Sequence, residues 1–201
     1  MADSRLTVDP LLDPQRPTFF FDFACPYAYL AAERIAANPE FAAVWRLAAL
    51  DQVLAAAGRT SWLVADAAAR VRHVNEIERR ARELQLLPLH WPPLPLDSRR
   101  ALLAAAYAQA TGRLVAFSLA AFRHAYAAGR DLANDDALVI AAAACELHPR
   151  ALLKGIELAS TRELLDASTQ AALRAGVRQL PAVVWRGHVF EGDDRIAELC
   201  R

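Results

Sequence analysis

The sequence predicts an α/β fold in which two parts of one sheet are separated by a large all-helical insertion. Three observations predict it. The chain opens with an aromatic run, a proline-started helix and a second apolar run, which is a β-α-β order. Residues 51–148 then show helical periodicity broken by glycine and proline stops. The chain ends in two short β-branched runs and a helix, a β-β-α order.

Each element has its own signal. "TFFFDF" at 18–23 is short, aromatic and flanked by proline, which marks a buried strand. Pro26 suits the first position of a helix, where its missing N–H costs nothing, and makes Cys25 the N-cap; Asn38-Pro39 ends that helix. "AVWRLAAL" at 43–50 supplies the second strand. Leu63, Val74, Ile77, Ala81 and Leu84 step at helical spacing before the proline-rich "PLHWPPLPLD", which no helix interior tolerates. Further helices are predicted over 98–110, 114–128 and 135–147, the last capped by Asn134, with Gly112, Gly129 and His148-Pro149 as stops. A short helix follows near 150–158. "STRE" at 160–163 reads as a capping box opening a helix that ends at Gly176. "PAVVW" and "HVFEG" around Arg186-Gly187 form a hairpin, and "DDRIAEL" starts a helix with acids in its first turn. This order is the thioredoxin-like layout. It divides the chain into a flexible leader (1–16), a thioredoxin-like domain (17–50 and 149–201) and a helical insertion domain (51–148).

Composition sets the functional bounds. With 55% hydrophobic residues and 201 residues in all, the chain can bury a full core. Lys+Arg and Asp+Glu balance at 23 each, so no net field draws it to nucleic acid or an anionic membrane. No secretory signal and no bilayer-length apolar run is visible, so a cytoplasmic protein is expected. Cys25, Cys145 and Cys200 are odd in number and form no C-x-x-C pair, which speaks against a disulfide framework and against a zinc site. The five histidines show no metal spacing and are assigned surface or core roles. No metal is expected.

Cys25 is the candidate catalytic residue. A thiol at a helix N-terminus meets unsatisfied backbone N–H groups and the positive end of the macrodipole, and both favour thiolate. A buried, inert thiol is the alternative. Leu180-Pro181, at the entrance to the strand "AVVW", is a candidate cis-proline lying opposite Cys25, with the Leu180 backbone open to pair with a peptide ligand. Trp62, Trp91 and Tyr107 are candidates for the wall of an acceptor pocket.

"FFFDFACPYAYLAAERI", "GRLVAFSLAAFRHAYAAGRDLAN" and "GVRQLPAVVWRGHVFEGDDRI" together resemble the 2-hydroxychromene-2-carboxylate isomerase and kappa-class glutathione transferase family, a branch of the DsbA-like thioredoxin fold. The resemblance spans roughly residues 17–200 in family order. It implies a glutathione site. Cys25 stands where the family's serine holds the glutathione thiolate, followed by Pro26 and Tyr27. The Leu180 backbone before Pro181 would pair with the cysteinyl part. Asp194 matches the aspartate that takes the γ-glutamyl ammonium, Arg195 matches the family arginine, and the N–H groups of Asp193 and Asp194 would hold the γ-glutamyl carboxylate.

The chain departs from that pattern at several positions. Gly58-Arg59-Thr60-Ser61 replaces the family's Gly-Asn-Arg-Pro, and the expected lysine of the next helix is missing, since Lys154 is the single lysine of the chain. Glu191 stands where an aromatic is common, so Glu191, Asp193 and Asp194 crowd three acids together. Ala28 occupies the resolving position of a Cys-Pro-x-Cys motif, which leaves only monothiol chemistry. The leading expectation is a glutathione-dependent isomerase or transferase that adds a thiolate to a small-molecule electrophile. A DsbA-like monothiol oxidoreductase using Cys25, and a non-catalytic binding module, are the alternatives. A homodimer is the assembly to test.

Overall fold

The computed structural model describes residue 9 and residues 11–64 and 66–200. Most of the expected leader lies outside the described residues. Its described part is anchored, because Arg174 Nη2 sits 2.6 Å from the Asp9 carboxylate.

Four strands form one sheet in the order β2-β1-β3-β4. β1 (Thr18–Phe21) runs parallel to β2 (Val44–Leu47) and antiparallel to β3 (Ala182–Trp185), which pairs antiparallel with β4 (His188–Glu191). All four residues of β1 are fully buried, which is why this strand reads as a continuous apolar run rather than an alternating one. Phe19 and Phe21 stack at 5.3 Å and meet Trp45 edge-on, while Phe21 and Phe23 reach Phe122 in the insertion. The same aromatic ladder therefore glues the sheet to the helices. The hairpin turn is type I′: Arg186 and Gly187 have φ of 51° and 76°, a conformation that suits the twist of the flanking strands.

The helices follow the expected order with shifted ends. α1 (Pro26–Ala37) starts at the predicted proline with Cys25 as N-cap. α2 (Leu50–Ala56) begins where the second strand was predicted to continue, because β2 ends at Leu47. A 3-10 turn at Trp62–Val64 precedes α3 (Ala67–Glu83). Then come α4 (Arg99–Ala110), α5 (Leu114–Tyr126), α6 (Asp135–Ala143), α7 (Pro149–Ile156), α8 (Ala159–Arg174) and α9 (Asp193–Leu199). Asn134 does occupy the N-cap of α6, but its side chain makes no capping hydrogen bond. The capping box is corrected outright: α8 is N-capped by Leu158, so Ser160 already lies inside the helix and Thr161 is buried. α8 is bound to the sheet by Ser168 Oγ, which donates to the Leu47 carbonyl at 2.6 Å, and by Thr169 Oγ1, which accepts from Ala49 N at 3.1 Å.

α7 lies against α4 at a close approach that requires glycine. A Cβ on Gly155 would fall 2.1 Å from Tyr107 Cδ2. Gly155→Ala gains about 1 kcal/mol of helix propensity, but overpacking of this kind costs ~1–3 kcal/mol, and an overlap this deep belongs at the upper end. A net loss of stability in urea unfolding is expected, and Tyr107→Ala in the same background is expected to relieve it.

Candidate functional site

The site forms where the end of β1 meets the start of β3. Ala182 pairs with Phe20, which sets the Leu180–Pro181 peptide beside the loop that carries Cys25, 155 residues away in sequence. That peptide is cis. The loop itself is held from three sides. Cys25 N donates to the Asp22 carbonyl at 3.1 Å, Ala24 N donates to Asp22 Oδ1 at 2.8 Å, and the Tyr126 hydroxyl donates to the Phe23 carbonyl at 2.6 Å.

Cys25 is 4% exposed, and its Sγ–H points at the Leu180 carbonyl, 3.2 Å away. Burial pushes its pKa up to about 12, with the Ala28 and Tyr27 N–H groups of the helix start pulling back only in part. The expected thiolate is therefore corrected: the helix N-terminus acts in the predicted direction, but loss of water outweighs it. In the folded chain this side chain is a hydrogen-bond donor at neutral pH.

The consequence for stability has a definite sign. The folded pKa lies above the ordinary thiol value of about 8.5, so the stability contribution is complete below that pH and is lost as the pH rises toward the folded value. Urea unfolding between pH ~8.5 and ~10 is expected to show the parent losing up to ~1.4 kcal/mol per pH unit more steeply than Cys25→Ser. Parallel slopes would show that the thiol is accessible to water.

Two adjoining cavities open at this point. The smaller, about 240 Å³, is lined by Cys25, Tyr27, Trp62, His73, Gln179 and Leu180 among others. The larger, about 380 Å³, has Leu63, Val64, Leu96 and Leu102 in its wall and Asp22 and Ser98 among its polar groups. Ala24, Leu50, Leu54 and Arg59-Thr60-Ser61 border both, so the stretch that departs from the family pattern is the partition between them.

The other predicted residues are distributed unequally around this centre. Pro26 begins α1, and Pro181 precedes β3. Asp193 is 2% exposed and faces inward; its Oδ2 lies 3.2 Å from Arg80 Nη1 and 3.6 Å from Arg34 Nη2, while its buried Oδ1 has no hydrogen-bond partner. Burial still raises its pKa, because neither guanidinium fully replaces the lost water. Asp194 is exposed and forms a salt bridge with Arg80. Arg195 pairs with Glu198 on its own helix and borders neither cavity. Glu191 accepts from Arg178 N at 2.5 Å and Gln179 N at 2.9 Å, fastening the segment that leads to Leu180. Each of the three acids thus has a polar partner, Asp193 and Asp194 sharing Arg80 while Glu191 accepts from backbone N–H groups, and the expected crowding of free charge is corrected.

Of the aromatic candidates, Trp62 lines the Cys25 cavity. Trp91 and Tyr107 do not: Trp91 donates to Glu78 at 2.9 Å and packs edge-on against Tyr126, while Tyr107 covers Gly155. Two functional candidates were missed by the sequence reading. His73, assigned to surface or core, accepts or donates at Nδ1 to the Tyr27 hydroxyl at 2.8 Å and stacks on Trp62 at 4.6 Å. Asp22, 2% exposed, joins the starts of α2 and α4, accepting from Leu50 N at 2.7 Å and from Ser98. Its sequence signal was an acid inside a buried aromatic run. His73 carried none, since its partners lie on other elements. Among the described residues there is no metal-ligating cluster and no helix long and apolar enough to cross a membrane.

The comparisons agree with this geometry. The chain superposes on a 2-hydroxychromene-2-carboxylate isomerase with a TM-score of 0.82 at 21% identity, covering 92% of each chain. It superposes on a probable DsbA oxidoreductase from Streptomyces coelicolor with a TM-score of 0.69 at 20% identity, covering 92% of this chain and 88% of that one. For the cytosolic disulfide reductase DsbM from Pseudomonas aeruginosa, solved with GSH, the values are 0.59 and 21%, covering 92% and 96%. At these identities the likeness concerns the fold. No curated protein sequence matches the chain. A model of the DSBA-like thioredoxin domain matches residues 18–201, and with the thiol-bearing helix start set against a cis-proline and the helices inserted between β2 and β3, the chain belongs to the DSBA-like thioredoxin family.

Proposed function

We propose that the protein is a glutathione-dependent isomerase or transferase in which the thiolate of bound glutathione, not Cys25, attacks an apolar electrophile. The observation that carries this reading is the state of Cys25. A buried thiol with its pKa at about 12 is a poor nucleophile but a serviceable donor to a sulfur anion placed beside it. The monothiol oxidoreductase reading needs the opposite state. The cavity pair supports the same view: the chamber beside Cys25 suits the cysteinyl sulfur, and the larger one with its leucine wall suits the body of an electrophile.

In this reading the Leu180 backbone pairs with the cysteinyl part of glutathione, and Cys25 shifts its S–H from the Leu180 carbonyl to the incoming sulfur. The thiolate adds to an electron-poor carbon of the electrophile. In an isomerisation, rotation about the former double bond follows and the thiolate is expelled; in a transfer, the adduct of an activated alkene takes up a proton, or an aryl adduct expels its halide, and the conjugate leaves.

The test is calorimetric titration with glutathione, followed by turnover assays with 2-hydroxychromene-2-carboxylate and with a generic aryl electrophile. Saturable binding at millimolar ligand or below, with turnover that requires glutathione, is expected. Absence of binding heat at millimolar glutathione would overturn the reading in favour of a binding module with another ligand.

A further inference from the structure

Tyr27 and His73 form a pair whose placement a structural role alone does not explain. Tyr27 follows the helix start that carries Cys25, His73 lies on α3, and both open onto the same 240 Å³ cavity as Cys25. The hydroxyl and Nδ1 are 2.8 Å apart. Trp62 lies nearly parallel to the imidazole, 4.6 Å away at 27°, and contacts Tyr27 edge-on at 6.3 Å. Arg80 sits over the Tyr27 ring at 5.7 Å.

The charges around the pair can be named element by element. On α3 they are Arg72, which disfavours a charged imidazole, with Glu76 and Arg80 acting on Tyr27. At the start of α1 is Cys25, and on α9 is the carboxylate of Asp193, paired through Oδ2 with Arg80. Arg59 borders the cavity from the loop before α3. Burial lowers the pKa of His73 and raises that of Tyr27 to about 12, so at rest both are neutral, and in the Nε2–H tautomer of the imidazole the phenol donates to Nδ1. Nδ1 is then an acceptor with a proton donor already in place.

We infer that His73 is the base that receives the thiol proton of the bound tripeptide, with Tyr27 relaying it. This rests on glutathione being the ligand. The ligand S–H donates to the Tyr27 oxygen. As the S–H bond breaks, that proton passes to Tyr27, and the proton Tyr27 held passes to His73 Nδ1. The products are a ligand thiolate, a neutral Tyr27 and an imidazolium; no electron changes hands. Cys25 is unsuited to the task, because it carries its own proton and offers it as a donor. The imidazolium gains two stabilising neighbours that the neutral ring lacks: the π face of Trp62 and the thiolate itself. Cysteine-histidine pairs in other proteins reach the same charge-separated state.

The tests separate this inference from the reading beneath it. Thiolate absorbance near 240 nm and the ring resonances of His73 are to be followed together at pH ~7.4, where a free thiol of pKa ~8.5 is mostly protonated. Glutathione is expected to raise the absorbance and shift the His73 ring to its charged form in the unmodified protein. Calorimetry in buffers of different ionisation enthalpy is expected to show close to zero net protons released per ligand in the parent; in His73→Phe and in Tyr27→Phe glutathione is expected to bind with its thiol still protonated, so that binding heat remains while the thiolate absorbance is lost. If thiolate forms while His73 stays neutral, or if the variants bind glutathione with the same thiolate absorbance as the parent, the inference fails and the glutathione reading stands. If neither absorbance nor binding heat appears, the glutathione reading fails and the inference with it.

Discussion

Cys25→Ser is expected to keep glutathione-dependent turnover within a few-fold of the parent, while Cys25→Ala lowers kcat/KM by about 10²-fold. Serine retains an O–H donor at the helix start and alanine retains none, so the pair isolates the hydrogen bond from the rest of the site. The loss matches what removal of one donor to a developing or bound anion costs elsewhere. The contrast is sharp because the oxidoreductase chemistry predicts the reverse: a serine there abolishes the reaction, and mass spectrometry of the parent would trap a glutathione adduct on Cys25. With Cys25 4% exposed and its proton held to about pH 12, covalent attack from it faces both a steric and an ionisation barrier.

Asp22→Ala is expected to be the most destabilising single change in the site region. Its carboxylate receives Ala24 N, Leu50 N and Ser98, groups from the Cys25 loop and from the starts of α2 and α4. Leaving such donors without an acceptor costs ~1–3 kcal/mol each. Because Ala24 and Leu50 are only partly buried, water replaces some of the loss, and a total of about 3 kcal/mol is expected, lowering Tm by roughly 6–12 °C. Burial raises the Asp22 pKa above its ordinary value. That group's contribution is therefore full below the unfolded value of about 3.9 and declines as the pH rises through the folded one. Asp22→Asn, which keeps an acceptor but cannot ionise, is expected to lose less stability and to flatten that decline. Because α2 and α4 both border the larger chamber, the alanine variant should also weaken electrophile binding more than glutathione binding.

The parts of the fold that were legible in sequence are those in which local chemistry dictates geometry. A proline after Cys25 marked a helix start, a run of three phenylalanines marked a covered strand, and Arg186-Gly187 between two β-branched runs marked a tight turn. The capping box failed because α8 already begins at Ala159 and Thr161 is buried within it, a packing constraint that the local preference of Ser160 does not encode. The site was half legible. Cys25 and Leu180-Pro181 were found through their positions at element ends, but the protonation state of Cys25 depends on burial by distant chain, which no short motif encodes. His73 and Asp22 escaped for the same reason: what makes them notable is Tyr27 and Trp62 for the one, Leu50 and Ser98 for the other.

The stretch from Arg59 to Arg80 brings the partition between the two chambers, the Trp62 face, His73 and the guanidinium that locks α9 into place. The sheet and the Cys25 turn, by contrast, contribute what all substrates would share. Under the proposed function, selection or an engineer could thus exchange the chemistry offered to a new electrophile by editing some twenty consecutive codons, with the rest of the gene held as a fixed chassis.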